Sequence, residues 1–227
     1  MRTPSAMRAG IPALLSFNGG FVDTAGFLGL QGLFTSHVTG NFVTLGATLV
    51  MGTHGVLAKI LALPEFVIVV ALARLAGSTL QARGIPALRI LLGAKVVFLL
   101  AFFVLAVSLG PFPNSDAPMA LLTGFTGVAA MAVQNAVQRI HFARVPPTTI
   151  MTGNSTQAAL DAVDLLRGAK DNDAATVRAR LAATVGAIFW FAAGCAAAAA
   201  LYAWLGFWCL IVPVLVGTAT ALPQTED

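Results

Sequence analysis

The sequence predicts an all-α, polytopic membrane protein made of two related halves. With 58% hydrophobic and 10% charged residues in a chain of 227, it is more apolar than a soluble core of this size requires. Six apolar segments are long enough to cross about 30 Å of hydrocarbon. The tripeptide Thr-Gly-Asn occurs twice, starting at Thr39 and at Thr152, each time with a threonine four residues upstream, Thr35 and Thr148. Such a repeat about half a chain apart indicates a duplicated unit.

The membrane-crossing segments are expected where apolar runs reach about 20 residues. We place them at residues 11–30, 60–80, 88–109, 118–138, 181–203 and 206–222. Two further segments, 38–51 and 150–166, follow the Thr-Gly-Asn copies and are shorter or more polar. If both cross the membrane, the protein has eight spans and parallel halves. If both are re-entrant or broken half-helices, six full spans remain.

The distribution of basic residues favours the six-span alternative. It places 11 of the 13 Lys and Arg residues on the cytoplasmic side, leaving Lys59 outside and Arg74 within a span. The 11 residues are Arg2, Arg8, Arg83, Arg89, Lys95, Arg139, Arg144, Arg167, Lys170, Arg178 and Arg180. By the positive-inside rule, both termini are then cytoplasmic in a bacterial inner membrane. Since three spans per half is an odd number, the halves 1–112 and 113–227 form one membrane domain with an inverted 3+3 repeat.

The two Thr-Gly-Asn copies are the first candidate solute site. Thr39 and Thr152 are suitable N-caps, which would leave Gly and Asn in the first turn of each half-helix, where free N–H groups point toward the membrane midplane. Such ends suit an anion or a small polar solute. The alternative is that the motifs only cap helices and hold the two halves together. The proposed solute-binding residues are Thr39, Gly40, Asn41, Thr152, Gly153, Asn154, Gln134 and Asn135.

Asp23 and Arg74 are the second candidate pair, because both are ionisable residues inside apolar segments. A charge pair between them would offset much of the cost of burying either residue. We therefore expect Asp23 to pair with Arg74, with either a coupling or a purely structural role. In the second half, the neutral amides of Gln134 and Asn135 occupy the corresponding place, so the halves are chemically unequal.

Several other classes of function are not supported by the sequence. The basic residues are dispersed between apolar segments, which argues against a nucleic-acid partner. Cys195 and Cys209 both lie in apolar segments, so no disulfide framework or zinc spacing is available. We find no usable enzyme motif and expect no metal or cofactor. The small residues at 192–200 indicate close helix packing, with a homodimer interface as one candidate location.

Four strings in this chain resemble the DUF1275, or YoaK-like, family. They are Gly20-Phe21-Val22-Asp23-Thr24-Ala25-Gly26-Phe27, Phe34-Thr35-Ser36-His37-Val38-Thr39-Gly40-Asn41, Gln134-Asn135-Ala136 and Thr148-Thr149-Ile150-Met151-Thr152-Gly153-Asn154. The resemblance covers nearly the whole chain and implies a six-span bacterial inner-membrane protein. It supplies no substrate, and His37 stands where the family pattern often has Asn.

The sequence as a whole predicts a transporter or channel for a small polar or anionic solute, in contact with the lipid bilayer. The solute is expected at the paired Thr-Gly-Asn half-helix ends, with Asp23 as a coupling group. The alternative is a non-transporting membrane scaffold or sensor, in which the same polar residues only hold helices together.

Overall fold

The computed structural model describes residues 10–168 and 171–222, apart from the side chains of residues 171–173. The described part of the chain is all-α, and its helices correspond to the segments expected from the sequence. They are α1 (Gly10–Gly29), α2 (Asn41–Met51), α3 (Val56–Ala82), α4 (Ala87–Leu109), α5 (Pro118–His141), α6 (Met151–Leu166), α7 (Asp171–Leu205) and α8 (Ile211–Ala221). Short 3-10 turns at Val38–Gly40 and Gly206–Leu210 lead into α2 and α8. Arg2, Arg8 and Lys170, which the charge argument uses, lie outside the described residues.

The largest departure from the expected boundaries is at α7. The sequence predicts a span at 181–203 after a polar loop at 168–176, whereas α7 covers Asp171–Leu205, a length of 35 residues. Residues 171–185 contain neither Gly nor Pro and are rich in alanine, the strongest helix former. The polar segment therefore extends the helix, and the expectation of a loop there is wrong.

Within the part of the chain that the structure describes, four helical stretches are long and apolar enough to cross a membrane: Val56–Ala82, Ala87–Leu109, Pro118–His141 and Ala174–Ala221. Large apolar side chains are also exposed on the helices, including Val50 at 88% and Trp204 at 86%. Exposed apolar surface of this extent is unfavourable in water and favourable in lipid. The chain is a multi-pass membrane protein whose apolar helices contact the bilayer.

α1 and α5 form the centre of the bundle. Both are buried over most of their length, and both carry buried polar side chains, among them Asn18 and Asp23 on α1 and Thr123 and Gln134 on α5. Because its surroundings are protein rather than lipid, α1 does not need the uniformly apolar surface of a lipid-facing helix. This explains why α1 is absent from the four apolar stretches although it lies inside the bundle.

Several helix ends meet at one end of the bundle, here called the Gln31 end. Lys59 Nζ in the first turn of α3 donates a hydrogen bond to the Gln31 carbonyl oxygen, just after α1, at 2.9 Å. Gln31 Nε2 donates to the carbonyl oxygen of Phe112, in the segment between α4 and α5, at 3.3 Å. The Phe112 ring lies 5.6 Å from the ring of Phe207, which follows α7. The exits of α1, α4 and α7 and the entries of α3, α5 and α8 therefore share this end.

Asp116 fixes the start of α3 at the Gln31 end. Its carboxylate accepts hydrogen bonds from the backbone N–H groups of Gly55 at 2.9 Å, Val56 at 3.1 Å and Ala58 at 3.0 Å. Burial acts to raise the pKa of Asp116, but these N–H donors outweigh it and hold the pKa below its usual value. A carboxylate from the segment before α5 thus caps a helix of the first half.

The opposite end of the bundle is here called the Phe142 end. Ile11 of α1, Leu91 of α4 and Phe142 after α5 belong to one apolar cluster, against which Ala221 of α8 packs. Hence α1, α4 and α7 run toward the Gln31 end, and α3, α5 and α8 run back. The segment containing α2 leaves and returns at the Gln31 end, and the segment containing α6 leaves and returns at the Phe142 end.

The closest helix crossing joins α1 to α7. A Cβ on Gly20 would collide with the carbonyl oxygen of Phe191, and a Cβ on Gly194 would collide with that of Phe17. Cys195 Sγ donates to the Gly20 carbonyl oxygen at 3.5 Å. Only glycine permits backbones to approach this closely, so the first helix of one half is locked onto the second half.

Candidate functional site

The segment before α2, loop 1 (residues 30–37), is held inside the bundle by Asp23. Asp23 Oδ1 accepts hydrogen bonds from the backbone N–H groups of Thr35 and Ser36, both at 2.8 Å, and of His37 at 3.3 Å. Asp23 is 5% exposed. A buried carboxyl group of α1 therefore satisfies three successive amides that have no helix or sheet to pair with.

Asn41, from the first Thr-Gly-Asn copy, closes loop 1. Its Nδ2 donates to the Phe34 carbonyl oxygen at 2.9 Å, and its Oδ1 accepts from the Phe34 N–H at 2.8 Å. Asn41 is 1% exposed. Because both ends of the amide bind the same backbone residue, Asn41 shapes the loop rather than presenting a free amide to a solute.

The segment before α6, loop 2 (residues 142–150), is anchored on α5. Gln134 Nε2 donates to Thr148 Oγ1 at 3.2 Å and to the Leu15 carbonyl oxygen of α1 at 2.8 Å. Thr149 Oγ1 donates to Asn135 Oδ1 at 2.8 Å. Gln138 Nε2 also donates to two carbonyl oxygens of the loop, those of Phe142 and Val145. Loop 1 is thus held by an acid that accepts from its N–H groups, whereas loop 2 is held by amides that bind its hydroxyl groups and carbonyl oxygens.

Asn154, from the second Thr-Gly-Asn copy, repeats only half of the contact made by Asn41. Its Nδ2 donates to the Pro147 carbonyl oxygen at 2.8 Å, the same seven-residue separation as between Asn41 and Phe34. Proline has no N–H, so the return hydrogen bond to the Asn154 side chain cannot form. The duplicated asparagines therefore share a position but not a full set of hydrogen bonds.

Both loops lie against one face of α1. A Cβ on Gly26 would lie 2.8 Å from Thr35 Cγ2 of loop 1, and a Cβ on Gly19 would lie 3.1 Å from the Thr148 carbonyl oxygen of loop 2. Positions seven apart on a helix share a face and are separated by about 10 Å along its axis. The loops approach each other from opposite ends of the bundle to about that separation.

The expected N-caps are wrong. The 3-10 turn before α2 has His37 at its N-cap position, and α6 has Ile150 there, with no side-chain hydrogen bond at either cap. Loop 1 is already fixed by Asp23, so the first helical turn starts before Thr39 instead of at it. Thr152 lies inside α6, where its carbonyl oxygen accepts from Thr156 Oγ1 at 3.0 Å.

The six motif residues are not gathered around one opening. Asn41 and Asn154 are buried and bound to loop backbone. Gly40 is half-buried, and a Cβ on it would lie 3.0 Å from the ring of Phe34. The remaining three, Thr39, Thr152 and Gly153, are exposed on the described surface. The arrangement serves loop closure more directly than it serves binding between facing helix ends.

The expected ion pair between Asp23 and Arg74 is absent among the described residues. Asp23 binds the amides of loop 1, whereas Arg74 lies on α3 beside Asn135 and Arg139 of α5. The sequence showed that both residues lie inside apolar segments but did not show which helices pack together. Arg74 meets α5, and the charge pair predicted with Asp23 is therefore wrong.

A cleft of about 600 Å³ lies between α3 and α5, beside the start of α6. Its polar lining consists of Arg74, Asn135 and Arg139, and no acidic side chain lines it. Neither arginine forms an ion pair or a hydrogen bond with another described residue. Arg74 is also close enough to His141 to interact with it electrostatically. Both arginines are exposed, so the cleft is electropositive and offers guanidinium donors without a partner among the described residues, which favour an anion.

A bidentate ion pair between Asp161 of α6 and Arg180 of α7 joins these two helices. Arg180 Nε lies 2.9 Å from Asp161 Oδ2, and Arg180 Nη2 lies 2.5 Å from Asp161 Oδ1. Gln157 Nε2 donates to the same carboxylate at 2.8 Å. The hydrogen bond from Arg180 lowers the pKa of Asp161. The start of α6 at the cleft is thereby fixed by contacts farther along the helix.

Two buried ionisable groups were missed by the sequence argument. Lys95 was counted among the cytoplasmic charges, yet it lies inside α4, is fully buried and has no hydrogen-bond partner for Nζ. Glu65 of α3 likewise has a buried Oε2 without a partner. Arg74 is therefore not the only base within an apolar helix. The missed signal was a single lysine between small and β-branched apolar residues, at 93–97.

The model of one protein family matches residues 11–222 of the chain. Its description is "Protein of unknown function (DUF1275)". The match includes both loops, the glycine crossing and all residues that line the cleft. No curated protein and no solved structure matches the chain. The description names no substrate, so the chemistry of the cleft carries the functional argument.

Proposed function

We propose that this chain, which belongs to the DUF1275 family, is a transporter or channel for a small anionic solute that binds between α3 and α5. The observation that carries the proposal is the pair Arg74 and Arg139, which line one cleft and have no acidic partner among the described residues. Arg74 lies within an apolar helix, where an unpaired cation is costly and usually marks an ion or substrate pathway. Arg139 lies in the last turn of α5, at the mouth of the same cleft. Asn135 borders the same cleft while tethering loop 2.

We further propose six membrane-crossing segments in an inverted 3+3 repeat, with α2 and α6 re-entrant. The order of helix ends supports this topology, because each helix of the first half runs opposite to its counterpart in the second half: α1 to α5, α3 to α7 and α4 to α8. The dispersed positive charges support a bacterial inner membrane with both termini in the cytoplasm. In that orientation the Phe142 end is cytoplasmic and the Gln31 end is periplasmic.

The inverted halves supply a simple mechanism for solute movement. The α3–α5 contact contains a cleft, whereas the corresponding α1–α7 contact is closed at Gly20 and Gly194. In transporters of this design, exchange of conformation between the two repeats alternates access to the site. We propose that solute binds at the open contact and that the closed contact prevents a continuous path.

Flux into proteoliposomes tests the proposed function. We expect the wild-type protein to move one or more small organic anions from a broad panel. Arg74→Gln should reduce that flux about tenfold or more, the effect of losing a hydrogen bond to a charged group. The matched control is Arg144→Gln, an exposed arginine in loop 2 outside the cleft. No flux for any solute, or equal flux in both variants, contradicts the proposal.

Topology can be tested independently of the solute. In a background with Cys195→Ala and Cys209→Ala, His54→Cys should react with an impermeant thiol reagent from the periplasm. Arg144→Cys should react only from the cytoplasm. If His54→Cys reacts only from the cytoplasm, as the eight-span alternative requires, or if both cysteines react from the same side, the six-span arrangement is wrong.

A non-transporting scaffold or sensor is the second candidate function. It is favoured by one specific observation: the side-chain amides of Asn41 and Asn154 form hydrogen bonds with the backbone of loops 1 and 2. Under this alternative, Asn154→Ala lowers thermal stability, and no variant of Arg74 or Arg139 changes solute movement. The flux comparison above therefore separates the two functions.

A further inference from the structure

We propose that the ligand of the α3–α5 cleft is an amphipathic anion, with one anionic head and an apolar body, rather than an inorganic anion. This inference rests on the proposed function, because it names the chemical class of solute for the same site. It follows from the position of the charges and of the apolar walls within one cavity.

The head of the ligand is assigned to Arg74 and Arg139. They approach the cleft from different helices, Arg74 from α3 and Arg139 from the last turn of α5. Planar guanidinium groups bind carboxylate and phosphate oxygens through paired hydrogen bonds. Since no described carboxylate neutralises either arginine, a bound anion supplies the missing charge.

The body of the ligand is assigned to the rest of the lining. The other walls, apart from Asn135, are the apolar side chains of Phe66, Val70, Ala136, Ile140 and Ile150. These side chains cannot replace the water around a small hydrated anion, but they favour burial of methylene groups or an aromatic ring. The volume of about 600 Å³ lies within the range of about 300–1,000 Å³ for small-molecule pockets, so an inorganic anion would leave most of it unfilled.

Two sources could supply such a ligand, and they share the same chemistry. One is a free organic acid from the aqueous phase. The other is an anionic lipid, because the residues next to Phe66 and Val70 on α3, such as Val67 and Ile68, are exposed to the surroundings at 57% and 58%. In both cases the anionic head binds the arginines and the apolar part lies along α3 and α5.

The test measures binding of a series of fatty acids to the full chain in phosphatidylcholine nanodiscs by calorimetry, with empty nanodiscs as the blank. The probes are acetate, butanoate, hexanoate, octanoate and inorganic phosphate. We expect affinity to rise up to about fourfold per added methylene group, which is the gain from burying each one. Arg74→Gln and Arg139→Gln should each weaken octanoate binding about tenfold or more, while Arg144→Gln leaves it unchanged.

A second variant tests the contribution of the apolar walls to affinity separately from that of the arginines. Val70→Thr keeps the shape of the side chain but places a hydroxyl group in the apolar wall. It should reduce the dependence of affinity on chain length and leave acetate binding unchanged. A repeat in nanodiscs containing phosphatidylglycerol identifies the source: competition with octanoate supports a lipid headgroup, and undiminished octanoate binding supports a free organic acid.

Two outcomes would overturn the inference, and they are distinguishable from each other. If phosphate binds as tightly as octanoate, with Arg74→Gln weakening both, the amphipathic class is wrong while an anion site remains. If no probe binds, or if Arg74→Gln and Arg139→Gln bind every probe as the wild type does, the anion site and the proposed function both fail.

Discussion

In the proposed inverted repeat, the contact between α1 and α7 corresponds to the contact between α3 and α5, but only the α1–α7 contact is closed by glycines. At the α1–α7 contact, Gly20 and Gly194 bring the two backbones together. At the α3–α5 contact, a cleft lined by Arg74 opens beside the packed helices. An offset of 117 residues relates Arg74 to Phe191 and Gly77 to Gly194 in the proposed repeat. A Cβ on Gly77 would meet only the flexible end of Leu91, which belongs to α4, and no atom of α5 within 4 Å.

This difference shows how the two halves of a duplicated fold can take different roles. The loops, the asparagine positions and the order of helix directions are shared by both halves. The residues at the two helix contacts are not shared, and they decide which contact is packed and which can hold a ligand. The proposed site residues therefore lie where the halves differ, whereas Asn41 and Asn154 of the repeated tripeptide bind loop backbone in both halves.

The largest expected effect comes from disrupting the closed contact. In Gly194→Leu, the new side chain meets the backbone of Phe17 and Phe21, which cannot move aside as a side chain can. Overpacking costs about 1–3 kcal/mol where side chains can adjust, so we expect a loss above about 3 kcal/mol here. Thermal unfolding in detergent micelles, with the yield of folded protein, measures the effect.

Two matched variants sharpen this prediction. Gly186→Leu, on the same helix, introduces the same side chain where a Cβ meets no atom within 4 Å, so stability should change by less than about 0.5 kcal/mol. Gly77→Leu, at the corresponding place in the other half, should cost less than Gly194→Leu because only Leu91 must adjust. Equal losses in Gly194→Leu and Gly77→Leu would show that α3 is packed as closely at Gly77 as α7 is at Gly194.

The next largest effect is expected at the side chains that anchor the two loops, Asp23 for loop 1 and Asn135 for loop 2. Asp23→Ala removes the acceptor of three buried amide groups and should cost about 3 kcal/mol or more, since each unsatisfied group costs about 1–3 kcal/mol. Asn135→Ala removes the acceptor of one hydroxyl group, which can rotate toward another oxygen, and should cost about 1 kcal/mol. Hydrogen exchange of the loop 1 amides should accelerate in Asp23→Ala only.

An exposed acid provides the control for the charge change. Asp164→Asn on α6 removes a negative charge without a buried contact and should leave loop 1 exchange unchanged. If Asp23→Ala exchanges no faster than this control in the Thr35 to His37 amides, Asp23 is not the anchor of loop 1.

Helix positions could be predicted from the sequence because they depend on local information. Apolar length marked the helical segments, and the repeated tripeptide marked the starts of α2 and α6. The partners of Asp23 and Arg74 could not be predicted, because they depend on which helix faces meet in the folded chain. The cleft joins residues 66–74 to residues 135–150, and no periodic pattern in either segment identifies the other. The burial of Lys95 could not be predicted because it lies near the start of its apolar segment, where a lysine is usually read as a flanking charge.

The smallest effect on stability is expected from replacing the two asparagines of the repeated tripeptide, Asn41 and Asn154. Asn41→Ala removes a donor and an acceptor from Phe34, whereas Asn154→Ala removes one donor from Pro147. At about 1 kcal/mol per hydrogen bond, Asn41→Ala should be more destabilising by about 1 kcal/mol in a thermal or denaturant titration. Pro147→Ala restores a backbone N–H that can donate a hydrogen bond to Asn154 Oδ1. The loss of stability caused by Asn154→Ala in that background should therefore rise toward the loss caused by Asn41→Ala. An unchanged cost would mean that the two loops differ for a reason other than the missing proline N–H.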